Sequence, residues 1–470
     1  MAFDRVIQTD EKLSVAQAIP LSLQHLMAMF GATVLVPYLT GLDVGIGLMT
    51  SGIGTLLYLL VTRSKIPSYL GSSFAFIMPL IAVGGGAAAI AAGKGNLPAA
   101  LGGLVAAGVV YMIVAALVKW FGTGWINKVL PPALVGAVVI VIGLGLSATA
   151  VKMSLFPFAD PTKGVDSKGL IVAAITLAAA IIFSSYFKGF IKAIPILLGI
   201  VAGYVVSIPM GLINLDGVAK AAWFGVPQIP GLLTAAHPLV NMPGLVQIPS
   251  ATAITFPTFD LTAILIIAPV AIVVIVEHIG HLLVINEITG KDFTPMLPES
   301  LFGDGLATVF SGLVGGTPST TYAENIGVMA VTKVYSTQLF WYAGAFAFLI
   351  GGFIPKVSAA IGSIPTPVMG GISLLLFGLI ASSGLRLLVK SGIDFSHSRN
   401  LILSSVVLVI GIGMDTGGFV IPVGKYTIPG MALATVLGII LNLILPKESE
   451  GLATDSPDFT GALQEEAAEK

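Results

Sequence analysis

The sequence predicts an all-α polytopic membrane protein, with fourteen spans arranged as two inverted seven-span repeats and short extended segments in spans three and ten. Three observations predict it. Mean hydropathy is +1.00, and 56% of the 470 residues are hydrophobic while only 10% are charged. Apolar runs long enough to cross a hydrocarbon core about 30 Å thick recur along almost the whole chain. Gly and Pro motifs then repeat at an offset of 235, half the chain length.

Length alone suggests about three soluble domains, but an apolar composition of this kind overrules that count. A net charge of -1 gives no footprint for nucleic acid. Cysteine is absent, which excludes disulfides, thiolate catalysis and Cys-ligated metals. Residues 1–13 are polar and show no signal peptide. The acid-rich stretch 447–470 reads as a disordered tail.

Taken in order, the apolar runs place spans near 16–38, 44–62, 72–90, 97–118, 130–150, 169–187 and 193–213. After an insert at 214–258, read as an ordered external loop, further spans fall near 261–285, 301–315, 321–334, 337–355, 366–386, 400–414 and 427–445. With the N-terminus inside, the inner segments hold fifteen Lys and Arg residues and the outer ones seven. That bias predicts both termini in the cytoplasm.

The repeat is read from matched motifs. Pro132-Ala-Leu-Val-Gly136, Gly143 and Ser147 align with Pro367-Val-Met-Gly-Gly371, Gly378 and Ser382. Gln24-His25 aligns with Glu277-His278, Pro67-Ser68 with Pro318-Ser319, and Ile194-Pro195 with Ile428-Pro429. Seven spans is an odd number, so the second copy enters the membrane upside down. Inverted repeats of this kind build secondary transporters, with the substrate near the midplane at broken helices.

Two acids stand out against this background: Glu277 in IVVIVEHIGHLLVI and Glu324 in TTYAENIGVMAV. A carboxylate at membrane depth costs roughly 2.5–3.5 kcal/mol on insertion scales, so it marks a bundle interior or a substrate or proton path. Spans three and ten both start with Pro, Gly and small hydroxyl residues, around Ser72-Ser73-Phe74 and Pro318-Ser-Thr-Thr-Tyr322. Such composition disfavours helix, and the spacing predicts an extended stretch feeding a half-helix in each copy. Extended backbone at this depth must be buried in protein or line a cavity. The helix-start amides near Phe74 and Ala323 are then free to donate to ligand carbonyls. Glu277 and Glu324 accept ligand N–H groups, while Phe74 and Tyr322 offer flat faces. Donor, acceptor and flat surface together suit a planar cyclic amide such as a nucleobase.

His281 lies one turn beyond Glu277 on the same helix face, and an imidazole beside a buried acid suits a proton relay. His278 points about a hundred degrees away and is read as structural. His25, Ser73 and Asn325 are expected to support the site. Glu277, His281 and Glu324 are read as the only cluster of titratable groups at depth.

The runs QHLMAMFGATVLVP, GSSFAFI, EHIGHLLV, TTYAENIGVMAVTKVYS and PVMGGISLLLFG resemble the nucleobase–cation symporters of the nucleobase–ascorbate type, nearest their bacterial uracil permeases. The likeness extends over essentially the whole chain up to the acidic tail. It implies that Glu277 and Glu324 hold a pyrimidine ring, that His281 borders the proton path, and that Phe74, Ala323 and Tyr322 complete the site. One departure is Ala323, where such permeases often carry Gly before the signature acid. The resemblance further implies a core domain from residues 14–120 and 255–358, and a gate domain from 121–215 and 359–446 that mediates a homodimer. It implies proton-coupled uracil import across the cytoplasmic membrane, with no cofactor beyond the proton and no enzymatic activity. A purine carrier for xanthine or urate is the alternative within the family. A sulfate-type anion carrier fits two intramembrane glutamates poorly. An intramembrane metalloprotease is the rival from another class, since Glu277-His278-x-x-His281 carries two histidines. They are three apart with the acid preceding both, whereas zincin helices need four with the acid between.

Overall fold

The computed structural model describes residues 5–156, 159–227 and 255–446. Most of the expected external loop, 228–254, and the expected tail, 447–470, lie outside the described residues.

The chain enters α1 (Val15–Thr40) and leaves it at Gly41, whose positive φ of 81° forms the left-handed cap. Asp43 then caps α2 (Val44–Val61), its carboxylate accepting the Ile46 amide at 2.9 Å. The predicted extended start of span three is β1 (Leu70–Ser72), followed by a 3-10 turn at Phe74–Phe76, α3 (Ile77–Gly84) and α4 (Gly86–Ala91). Next come α5 (Leu97–Phe121), α6 (Gly124–Val129), and α7 (Pro132–Gly145) running on as α8 (Ser147–Leu155). The first half closes with α9 (Ser167–Tyr186), α10 (Phe190–Ala193), α11 (Pro195–Ser207) and α12 (Asp216–Lys220). Proline starts α7 and α11, where its missing N–H costs nothing.

The second half opens with α13 (Leu261–Ile267), which is capped by Asp260 and continues beyond Pro269 as α14 (Val270–Thr289). After α15 (Leu297–Val314) the chain is extended again in β2 (Ser319–Thr321), and Tyr322 caps the ten-residue α16 (Ala323–Thr332). The helices α17 (Gln338–Phe353) and α18 (Pro355–Gly362) meet at 84°. The described residues end with α19 (Thr366–Lys390), α20 (Ser398–Gly417), the hairpin β3 (Ile421–Val423) and β4 (Tyr426–Ile428), and α21 (Gly430–Ile444).

Nine helices among the described residues are long and apolar enough to cross a membrane, or ten when the bent α17–α18 pair counts as one. The chain is therefore a multi-pass helical membrane protein. The fourteen expected spans exceed this count because four of them correspond to shorter or more polar helices. These are α11 at 13 residues, α21 at 15, α16 at 10, and α15, which carries Glu299 and Asp304.

Packing divides the helices into two groups. In the first, α15 lies against α5 and α2, while α17 lies against α2 and α1. In the second, α19 lies against α7, α8 and α9, and α20 against α7 and α21. Small residues let these backbones approach: a Cβ built on Gly52 of α2 would meet the Gly344 carbonyl of α17 at 2.4 Å. The site lies where α14, α16 and the two inner strands come together.

Candidate functional site

The strands β1 and β2 cross antiparallel, with Leu70 opposite Thr321, Gly71 opposite Thr320 and Ser72 opposite Ser319. Two more backbone bonds extend the ladder, Ser73 N–H to the Pro318 carbonyl at 2.8 Å and Tyr322 N–H to the Tyr69 carbonyl at 3.1 Å. The outward backbone groups of the pair are met by hydroxyls. Thr55 of α2 accepts the Leu70 amide at 3.0 Å, and Thr308 of α15 accepts the Ser319 amide at 3.2 Å. Extended chain is thus sustained inside an apolar bundle by ladder bonds on one edge and hydroxyl partners on the other.

Gly71 is required here. A Cβ at this position would lie 2.4 Å from the ring of Tyr322. Tyr322 is only 3% exposed; its hydroxyl donates to the Ser72 carbonyl at 2.9 Å and accepts from Thr33 at 3.1 Å. Rather than offering an open flat face, as expected from the sequence, Tyr322 braces the crossing. Phe74 is half-buried at the end of β1, edge-on to Phe377 of α19 with centroids 6.2 Å apart.

From this crossing α16 starts. Its first amides, at Ala323 to Asn325, have no intrahelical acceptor, and Ala323 is exposed. Glu324 is half-buried in the first turn. Glu277 is half-buried on α14, which packs on α16, and the two carboxylates are near enough to act on one another electrostatically. Among the described residues the Glu277 carboxylate has no hydrogen-bond or ion-pair partner. Beside each acid is free space, since a Cβ at Gly280 or at Gly327 would meet nothing within 4 Å.

The histidines take separate partners. His281 is half-buried and shares a hydrogen bond from Nδ1 to the Thr321 hydroxyl at 2.9 Å. His278 is 1% exposed, with Nδ1 2.8 Å from Asp304 Oδ2 and Nε2 2.7 Å from the Ser300 hydroxyl. Ser300 in turn lies 2.7 Å from the Tyr58 hydroxyl. His25 is 1% exposed and is held by the Asn325 side-chain amide, which donates to its carbonyl at 3.0 Å and lies 3.1 Å from its Nδ1. Ser73 is 1% exposed, its hydroxyl without a partner among the described residues.

Reading Glu277, His281 and Glu324 as the only titratable cluster at depth is corrected here. Asp304, fully buried in α15, pairs with His278 directly behind Glu277. Its signal in the sequence was an acid between Gly303 and Gly305 in the run LFGDGLATVF. Because His278 and His281 point to different partners, they do not converge as metal ligands; among the described residues no group of three or more His, Asp or Glu could hold a metal.

Solved structures share this fold. The transmembrane domain of the cyanobacterial bicarbonate transporter BicA superposes with a TM-score of 0.60 at 15% identity, covering 88% of this chain and 99% of that one. The murine anion transporter Slc26a9, in its inward-facing state, gives 0.65 at 11% identity, covering 92% and 69%. The architecture is that of a helical membrane transporter. In sequence, the pattern of the permease family named for xanthine and uracil matches residues 16–418. The uracil permease of Bacillus caldolyticus is 47% identical over 449 residues, 94% of this chain and 95% of that protein. That of Escherichia coli K12 is 44% identical over 447 residues, 94% of each. A putative pyrimidine permease of E. coli K12 is 39% identical over 453 residues, 94% and 92%. The chain belongs to this permease family, and its relatives are transporters, not enzymes.

Proposed function

We propose that this protein imports uracil across the cytoplasmic membrane in symport with protons. The observation that carries the reading is a pair of half-buried glutamates, one of them without a hydrogen-bond partner among the described residues, beside the start of α16, where the first amides have no intrahelical carbonyl acceptor. An imide ring offers two carbonyls flanking one N–H and a second N–H, which matches that set of donors and acceptors. The names of the relatives, uracil permeases at 44–47% identity over 94% of the chain, support the same substrate. Glu277 and Glu324 hold the ring N–H groups, the amides near Phe74 and Ala323 meet its carbonyls, and Phe74 lies against its face. The proton is carried by Glu277, Glu324 and His281, with His25, Ser73 and Asn325 in support. No cofactor is needed.

Alternating access rests on a fourteen-span inverted repeat. Corresponding hydrogen bonds support it: Thr55 and Thr308, 253 residues apart, each hold a strand amide. Corresponding close approaches do too, Gly52 against Gly344 and Gly305 against Gly108. The first packing group acts as core and the second as gate, the protein pairs through its gate domains, and both termini face the cytoplasm.

The reading is tested with labelled uracil and purified protein in vesicles. An inward proton gradient should drive accumulation, an ionophore should abolish it, and unlabelled uracil should compete better than xanthine or urate. Uptake that follows sodium and ignores pH sinks the coupling; better competition by purines sinks the substrate.

A further inference from the structure

We infer that Thr321 is a positioning residue for His281, engaging Nδ1 so that Nε2 is the nitrogen that exchanges a proton with the site. This rests on the proton-coupled reading above. The Thr321 hydroxyl lies 2.9 Å from Nδ1 and has no other hydrogen-bond partner among the described residues. Thr321 is 2% exposed, and its backbone is fixed by pairing with Leu70 across the strand crossing. The ring on α14 is therefore tied to the strand that leads directly into Ala323 and Glu324.

The Thr321 carbonyl also meets the ring, and the hydroxyl adds what a carbonyl cannot. It donates to Nδ1 when the neutral ring carries its proton on Nε2, and it accepts from Nδ1–H when the ring is protonated. Rotation of one hydrogen serves both states, so the ring stays in place while its charge changes. A relay needs that property, since proton transfer depends on the donor and acceptor remaining within hydrogen-bond reach.

The groups around His281 leave few proton partners. On α14 itself stand Glu277 and His278; α15 brings Asp304, α5 brings Tyr111, and α16 brings Glu324. At the far end of α14, Glu287 pairs with Lys390 of α19; α7, α13, α21, the Phe74–Phe76 turn and β2, which also lie against α14, carry no ionisable side chain. His278 and Asp304 are committed to each other. A phenol such as Tyr111 keeps its proton between about pH 5 and 8, so Glu277 and Glu324 remain as the groups with which Nε2 can trade a proton.

The test compares Thr321→Val, which keeps the shape and removes the hydroxyl, with Thr321→Ser, which keeps the hydroxyl. In vesicles, Thr321→Val should lower the maximal rate of proton-driven uracil uptake roughly tenfold, the factor carried by one hydrogen bond. It should also shift the pH profile, while uracil Kd stays within about threefold. Thr321→Ser should restore rate and profile. Thermal melting of both variants in detergent reports folding, and an unfolded Thr321→Val passes the decision to the ring itself. That second readout is nitrogen NMR of histidine-labelled protein, in which Thr321→Ser should keep the parental His281 tautomer signals and Thr321→Ala should lose them. An unchanged pH profile in Thr321→Val overturns the inference, as does an equal loss of Kd and rate. A parent with no pH-driven uptake overturns the functional reading instead; His281 signals insensitive to Thr321 then overturn the positioning role independently.

Discussion

Glu277 is an acceptor without a partner, half-buried beside open space. Glu277→Gln keeps its shape but replaces a charge-assisted acceptor, worth roughly 1.5–3 kcal/mol, with a neutral amide. Uracil binding measured by calorimetry should fall by roughly ten- to a hundredfold; a loss under threefold would remove Glu277 from the pocket. Ala323 is the complementary case. It is exposed at the first position of α16, so in the proposed site Ala323→Gly takes one methyl from the pocket wall. A change of that size shifts discrimination by roughly 1–3 kcal/mol. The ratio of affinities for uracil and 5-substituted uracils should therefore change while proton-driven uptake survives, and a constant ratio across such a panel would take Ala323 out of the wall. Both positions stand out in the sequence because a carboxylate in an apolar run, or a residue next to one, is an anomaly in one dimension. Asp304 does not. Its partner His278 is 26 residues away, and only the packing of α14 on α15 turns two ordinary letters into a buried pair.

The extended starts of α16 and of the span holding α3 could be read from Pro, Gly and hydroxyl content, but their pairing could not. Register depends on which side chains fit across the crossing, and Gly71 opposite Thr320 is where the fit is tightest. Gly71→Ala would push a methyl into the Tyr322 ring, at 2.4 Å before any relaxation. Overpacking of this kind costs typically about 1–3 kcal/mol. Here it would also strain the bonds from Tyr322 to Ser72 and Thr33. Melting in detergent should shift down by several degrees, and uracil binding should weaken with it because the amides of α16 move off their line. A variant that melts like the parent and binds normally would mean that the crossing has slack the structure does not suggest.

At the scale of the whole molecule, polar contacts between the two packing groups are concentrated on one side. Asp260, which caps α13, accepts Lys425 at 2.8 Å and the Tyr426 hydroxyl at 3.3 Å, and Asn96 at the start of α5 donates to that hydroxyl at 2.9 Å. Tyr38 and Thr366 meet at 2.9 Å on the same side. Toward the other ends of α14 and α19 the link is Lys390 with Glu287, 3.9 Å apart and largely exposed. Partners 166 residues apart, as Asp260 and Tyr426 are, leave no trace in local sequence, which is why this cluster was not legible there. If the β3–β4 hairpin holds that side shut, opening it requires these bonds to break. The bond from Lys425 holds the Asp260 carboxyl below the usual carboxylate range. A lowered folded value means the contact is intact above the ordinary Asp range and is lost only as the medium falls below about pH 4. Between about pH 5 and 8 its charge is constant, so pH-dependent uptake in that window does not originate at this contact. Lys425→Met should raise the open population up to about fivefold, the most that loss of an exposed pair allows. The chain has no cysteine, so Ile428→Cys on β4, which packs against α3, gives a clean single label. An impermeant thiol reagent added outside should modify it faster in the Lys425→Met background, by the same factor at pH 6 and pH 8. Equal rates in both backgrounds would mean that the hairpin contacts do not hold this side closed.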